Sequence, residues 1–343
     1  MQATNTASGT VETLIVGGSL GGLTTALALA AQGRSSTVLE RTTGRTQRGV
    51  AILVAGARLH RAIGDGAWRT VREVLGGAST SQGVLPHAWW DVHQALRKAV
   101  EAEPLITLVE GEHVAEVGQD GTAAWARTRD GRTWTADALV GADGYRSVVR
   151  LHVDAARPHA AYAGYVVWLG QSELPPEYRG RAGGPDFFPD GGGMLAVYPL
   201  VDGDAEVTRF GWGWFDPARN ALFRRIYGAM ADLAERTWDE PWRSAVVQAF
   251  RDREVIATPI AEYLPDRVVS GRIALLGDAA HAQTPMTGAG FEEAVTDAAA
   301  LADAFTGTTS PEEALRRYEY LRLADMRRRV SAGRSFSTSF TRA

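Results

Sequence analysis

Thr13-Leu-Ile-Val-Gly-Gly-Ser-Leu-Gly-Gly22 is the stretch from which the fold can be read. An apolar strand, Thr13 to Val16, runs into a glycine turn, and the turn opens a helix from Leu20 to Ala31. Glycines there let backbone N–H groups and the positive end of a helix approach a pyrophosphate, so Gly17, Ser19, Leu20 and Gly22 are candidate contacts. The next strand, Thr37 to Leu39, closes on Glu40, which lies 18 residues past Gly22. At that spacing a carboxylate can accept hydrogen bonds from a ribose. Read as GxGxxG, the glycines are Gly17 and Gly22, with Ser19 in the middle place. Any strand-to-helix turn favours glycine. What points to dinucleotide binding is the full order of strand, turn, helix, strand and terminal Glu.

Working outward, 343 residues with 45% hydrophobic and 22% charged side chains give a globular chain with room for two domains. A net charge of −4 argues against a nucleic-acid binder. The lack of cysteine excludes disulfides, thiolate metal sites and cysteine nucleophiles. No HExxH metal pattern or Ser-His-Asp set stands out, so no metal is expected. Leu14 to Ala31 is long enough to imitate a membrane span. Four of its residues are glycine at the turn, and the first ten residues hold no Lys or Arg. Neither a signal peptide nor a membrane anchor is expected, and the cytoplasm is the expected location.

The opening βαβ unit ends near Arg41, and Arg41 to Arg48 is a polar loop holding three arginines. It reads as a solvated loop or as one that lays Arg41 or Arg48 over cofactor phosphates. The spacing of Trp89, Val92, Leu96, Ala99 and Val100 predicts a helix over Trp89 to Ala102. Leu105 to Val140 reads as a β-meander followed by a buried strand, Ala138 to Gly141. Beyond Pro158 aromatic strands are broken by clusters such as Pro175-Pro176 and Gly191 to Gly193, with a helical insertion from Pro217 to Ala249. Strand Arg272 to Leu276 returns to the first pattern, and helices at Gly290 to Phe305 and Pro311 to Ser331 follow. The expected fold is α/β: a discontinuous cofactor domain, 1–157 and 267–343 with C-terminal helices, and an inserted mainly β substrate domain, 158–266.

Asp137-Ala-Leu-Val-Gly-Ala-Asp-Gly-Tyr-Arg-Ser-Val-Val-Arg150 resembles the DG motif of the single-component FAD-dependent aromatic hydroxylases, the p-hydroxybenzoate hydroxylase-like or group A monooxygenases. Arg272-Ile-Ala-Leu-Leu-Gly-Asp-Ala-Ala-His281, continuing to Pro285 and Gly288-Ala-Gly290, resembles their GD motif. Trp90-Asp91, Tyr162-Ala-Gly-Tyr-Val-Val-Trp168 and the first glycine turn are similar to the 2,6-dihydroxypyridine 3-monooxygenase subgroup. The resemblance implies a Rossmann-like FAD domain, FAD as cofactor, and NADPH or NADH as a transient reductant. It further implies an electron-rich aromatic or heteroaromatic substrate, dioxygen, and a flavin C4a-hydroperoxide as oxygen donor. Asp143 would touch both FAD and the nicotinamide. Gly277 and Asp278 follow a buried strand, where the carboxylate can hold ribityl hydroxyls or merely cap a helix. Pro285, Gly288, Ala289 and Gly290 lead into a helix N-terminus suited to the negative charge of reduced flavin. Many members carry an Arg near position 89; Trp89 and Trp90 stand there in this chain, which shifts the expected phosphate contacts to Arg41 and Arg48. His281 is either a general base or a structural residue of the motif.

In strand Val207 to Phe215, alternation puts Thr208, Phe210, Trp212 and Trp214 on one face and Arg209, Gly211 and Gly213 on the other. The aromatic stripe is either sheet core or, with Tyr198, Tyr165 and Trp168, a roof over a flat substrate. Gly211-Trp-Gly-Trp-Phe-Asp-Pro217 also approaches the GWxWxIP signature of flavin-dependent halogenases, for which Lys98 is the one available lysine. Epoxidation, Baeyer-Villiger insertion, an NAD-only dehydrogenase and a flavin-binding protein without turnover are the other readings. The expected partners are a small aromatic molecule and dioxygen, with the chain a monomer or homodimer.

Overall fold

The computed structural model describes residues 13–44, 51–76, 83–174, 185–190, 193–201, 207, 209–217 and 227–342. The first half runs β1 (Thr13–Val16), α1 (Leu20–Ala31), β2 (Ser36–Glu40), β3 (Ala51–Ala55), α2 (Gly56–Leu75), β4 (Val84–Ala88) and α3 (Trp89–Glu101). Then come β5 (Ile106–Glu110), β6 (Val114–Gln119), β7 (Ala124–Thr128), β8 (Thr133–Ala136), β9 (Ala138–Gly141) and the short α4 (Arg150–Val153). The second half holds β10 (Ala161–Glu173), β11 (Asp186–Asp190), β12 (Gly193–Leu200), β13 (Arg209–Asp216), α5 (Tyr227–Thr237), α6 (Trp242–Asp252) and β14 (Ile256–Glu262). It ends with β15 (Val269–Ser270), β16 (Ile273–Leu275), α7 (Asp278–His281), α8 (Gly290–Ala304) and α9 (Pro311–Arg342). Arg48, Thr208 and the Pro175-Pro176 turn lie outside the described residues.

Six strands form one sheet in the order β15-β16-β9-β1-β2-β5. All pairs are parallel except the antiparallel edge strand β15. The Thr-Leu-Ile-Val run of β1 is buried at every position, as a strand covered on both faces must be. Helices α1, α2, α3 and α8 pack on one another beside it, and the meander β6-β7-β8 packs against β1 and β9. The chain leaves β1 toward β2 on one side and returns through β9 on the other. A crevice therefore opens at the carboxyl end of β1, where ligands bind in open α/β sheets.

A second, antiparallel sheet has the order β11-β12-β13-β10-β14. Helices α5 and α6 cover one of its faces, which buries Trp168, Leu195, Val197, Phe210, Trp212 and Trp214 together with Trp238, Val246 and Phe250. The opposite, inner face carries Tyr165, Val167, Ala196, Phe215 and Ile260, with Met194, Leu169, Tyr198, Met286 and Phe340 packed on it. Three elements differ from the expectation. The antiparallel pair β3-β4 and the helix α2 between its strands were not anticipated; Gly64, at φ 77°, breaks α2 and interrupts its helical pattern. The last helix continues past Ser331 to Arg342, because Phe336 and Phe340 give its final turns an apolar face that stacks against the inner face of the second sheet.

Candidate functional site

A cleft of about 550 Å³ lies at the carboxyl ends of β1, β2 and β9. Its lining includes Gly17, Ser19, Leu20, Glu40, Arg41, Asp143, Gly277, Asp278 and Gly290, so nine candidates spread over the whole chain meet in one volume. Gly22, Pro285, Gly288 and Ala289 stand beside this lining rather than in it. The turn is dictated by contact: a Cβ on Gly22 would sit 1.9 Å from the Gly17 oxygen. One on Gly17, whose φ is +109°, would sit 2.4 Å from the Ala142 oxygen. Two helix N-termini open onto the same volume, α1 at Leu20 and α8 at Gly290, and neither is capped by a side chain of its own N-cap residue. Both present the partial positive charge of free N–H groups.

At the β2 end, Glu40 is held by its own turn. Its Oε2 accepts from the Gly18 N–H at 2.8 Å and its Oε1 from the Thr42 N–H at 2.9 Å. A carboxylate has further lone pairs, so it can still accept from a hydroxyl in the cleft. Glu112, His113 and Val114 line the same end. Desolvation, with the charges of Arg129 and Arg41, lowers the His113 pKa. These residues were not foreseen; the position of β5 beside β2 would have found them, because they follow its carboxyl end.

Asp143 and Asp278 face each other's segments across β9 and β16. Asp143 Oδ2 accepts from the N–H groups of Val148 at 2.7 Å and Val149 at 3.3 Å. Its Oδ1 is buried with no partner, and desolvation raises its pKa. Asp278 is exposed to the cleft, yet desolvation by the surrounding protein raises its pKa too, against the pull of His281 and Arg150. Arg150, wholly buried, ties the two segments together. Its guanidinium donates to the carbonyls of Ala279 at 2.8 Å, Asp278 at 3.0 Å and Tyr145 at 2.9 Å, and lies 4.1 Å over the Tyr263 ring.

His281 does not reach this volume. Its Nε2 meets Asp297 Oδ2 at 2.6 Å in a buried network, where Asp297 also accepts from Arg322 at 2.7 Å and from the Gly277 N–H at 3.0 Å. Burial pulls the His281 pKa down, but the Asp297 charge and hydrogen bond outweigh it and raise the pKa overall. The general-base reading of His281 is therefore corrected: its imidazole braces α7 against α8 and α9.

The family model for the FAD binding domain matches residues 78–332. The aurachin C monooxygenase/isomerase of Stigmatella aurantiaca is 30% identical over 90% of this chain and 84% of its own length. The chain belongs to this family of FAD-dependent monooxygenases. Its fold is shared with the Klebsiella pneumoniae HpxO structure complexed with FAD and uric acid, at TM-score 0.81 and 24% identity over 96% of this chain and 89% of that one. It is also shared with 2,6-dihydroxypyridine-3-hydroxylase from Arthrobacter nicotinovorans, at TM-score 0.75 and 22% identity over 97% and 93% of the two chains. A protein that binds only NAD, one of the alternatives raised by the glycine turn, is set aside by this membership.

The cleft fits FAD chemically. Glycines clear a path for a pyrophosphate at an uncapped helix end, and acceptor groups at Glu40, Asp143 and Asp278 suit ribose and ribityl hydroxyls. The aromatic stripe does not belong to this FAD-dependent oxygenase's site. Phe210, Trp212, Trp214 and Trp168 face away from the cleft, packed on Trp242, Phe250 and Trp238 at ring distances of 4.9 to 6.1 Å. The substrate-roof reading is corrected for these four: α5 and α6 need an apolar floor, and the largest rings supply it. Tyr165 and Tyr198 are on the inner face, Tyr165 fully buried and Tyr198 leaning across Gly211 toward Ala51. Lys98 pairs with Glu73 at 3.7 Å on the outer surface of α3 and does not line the cleft, so it cannot serve the halogenase reading.

Proposed function

We propose that this monooxygenase uses NADPH or NADH to hydroxylate a flat, electron-rich aromatic or heteroaromatic compound. The observation that carries the reading is the meeting, at one cleft, of two uncapped helix N-termini with the Asp143 and Asp278 carboxyls, beside a sheet face that is almost wholly apolar. In this reading the two-part cofactor domain, 1–157 and 267–343, binds FAD, and 158–266 supplies the substrate wall. Gly17, Ser19, Leu20 and the α1 N-terminus would hold the pyrophosphate, with Arg41 beside it. Glu40 would hold the adenosine ribose, and His113 would border the adenine. Asp278 and the free oxygen of Asp143 would accept from ribityl hydroxyls, and the Pro285–Gly290 loop with the α8 N-terminus would face the flavin ring.

Bound FAD supplies reduction by the nicotinamide and oxygen transfer from dioxygen. The chain supplies position and dryness. Val167, Leu169, Met194 and Ala196 offer a flat aromatic an apolar surface, and exclusion of water there protects the reactive cofactor. The α8 dipole stabilises negative charge at the flavin end of the cleft. No helix among the described residues is long and apolar enough to cross a membrane. Relatives named for substrates as different as 3-amino-4-hydroxybenzoate and urate share this class of reaction.

The test is a screen of hydroxylated aromatics and nitrogen heterocycles for stimulated NADPH or NADH oxidation by the FAD-loaded protein, with oxygen uptake and product mass. A gain of one oxygen atom with the ring intact is the expected result. Ring insertion, halide incorporation, or no stimulation by any compound would overturn hydroxylation.

A further inference from the structure

One hydrogen bond joins the substrate sheet directly to the loop at the flavin end of the cleft. Tyr165, on the inner face of β10, places its hydroxyl 2.5 Å from Thr284 Oγ1, and both residues are fully buried. Thr284 Oγ1 also accepts the Met286 N–H at 3.3 Å, so the same oxygen caps the short turn Pro285–Thr287. That turn ends at Gly288 in a left-handed conformation, and two residues later Gly290 begins α8 and lines the cleft. The conformation of the loop thus fixes where the α8 N–H groups point.

Both ends of this link are held stiffly. The Tyr165 ring meets Phe340 edge-on at 5.4 Å and Phe215 at 6.2 Å, within the same apolar cluster as Met286. Thr284 is packed on α9 where Gly333 leaves room; a Cβ there would lie 2.9 Å from the Thr284 methyl. Ser337 of α9 faces the Tyr165 hydroxyl as well, and donates to Glu262 at 2.7 Å. A displacement of β10 by a ligand on the inner face would therefore reach the loop through the two hydroxyls as well as through the apolar cluster that holds Met286.

We propose that Tyr165 is a positioning residue which, through Thr284, sets the Pro285–Gly290 loop against the flavin and so couples substrate binding to productive oxygen transfer. This rests on the hydroxylase reading above. When the coupling fails, the two electrons of NAD(P)H and two protons leave with dioxygen as hydrogen peroxide. When it holds, one oxygen atom enters the product and the other leaves as water.

The experiment compares wild type, Tyr165→Phe, Thr284→Val, Thr284→Ser and the double variant Tyr165→Phe/Thr284→Val, all loaded with FAD. Tyr165→Phe keeps the ring packing and should fold. Two quantities are read: the visible absorption and emission of bound flavin without substrate, and peroxide released per NAD(P)H oxidised with the best compound from the screen. Tyr165→Phe and Thr284→Val should change the flavin spectrum in the same direction and raise the peroxide fraction several-fold. Thr284→Ser should resemble wild type, and the double variant should be no worse than either single one. Folded, flavin-loaded variants with unchanged spectrum and peroxide yield would overturn the inference, as would effects that multiply in the double variant. If no compound stimulates the wild type, the hydroxylase reading fails, and the spectral comparison still decides whether the link sets the flavin's surroundings.

Discussion

The two faces of the antiparallel sheet differ in a way that misleads the eye. The face under α5 and α6 holds Phe210 and three tryptophans, whereas the opposite face holds Val167, Leu169, Ala196, Gly211 and Gly213 beside Tyr165, Tyr198 and Phe215. Large aromatics fill volume, and filled volume is core; a face that receives a ligand must keep volume free. On the proposed reading, the indole-bearing side stabilises and the side with the smaller residues receives the substrate. The parallel sheet obeys the same rule at its own crevice, where Gly17 and Gly22 keep the turn open.

The contrast between stabilising and binding residues can be broken or sharpened by substitution. The largest effect belongs to Gly22→Ala, because no rotamer relieves a Cβ 1.9 Å from a backbone oxygen. Purified protein should carry no flavin absorbance; retention of bound FAD would show that the turn does not hold the cofactor. Trp212→Ala comes next, with an expected loss of about 3–5 kcal/mol in unfolding free energy from a large-to-small change in a packed core. Its flavin spectrum and substrate affinity should persist below the new melting temperature. Loss of affinity without loss of stability would return that face to the substrate.

Leu169→Ala tests the inner face. Removal of apolar contact there should raise KM about tenfold, on the order of 1.4 kcal/mol of binding, with a smaller fall in melting temperature than Trp212→Ala. An unchanged substrate profile would break the assignment. The smallest effect is a pH dependence at His281. Its folded pKa is raised, so the stability it contributes is complete below the ordinary value of 6.5 and fades as pH rises through the folded value. The melting-temperature advantage of wild type over His281→Gln should therefore shrink from pH 6 toward alkaline pH; a constant difference would show that the imidazole does not titrate with folding.

Legibility in the sequence followed the range of the forces involved. The glycine turn, Glu40 and Asp278 could be read because each is fixed by backbone geometry within a few residues of a strand end. Alternation likewise sorted Trp212 and Trp214 from Gly211 and Gly213. It could not say which set looks inward, because that depends on α5 and α6, folded from residues further along the chain. Arg150 was visible only as the end of a motif; its bonds to Asp278 and Ala279 span more than a hundred residues. The reach of Phe340 to Tyr165 was hidden for the same reason, and the last helix was expected to stop at Ser331.

The ten indoles are shared evenly between the two halves of the molecule. Trp168, Trp212, Trp214, Trp238 and Trp242 share one layer beneath the paired helices, while Trp89 borders the cofactor cleft. The other five, Trp68, Trp89, Trp90, Trp125 and Trp134, lie in the cofactor half, so ultraviolet-excited emission reports on both halves and the yellow chromophore on the cofactor half alone. Followed together in one cuvette during denaturation, the two signals would disclose whether the halves come apart in a single step or in sequence.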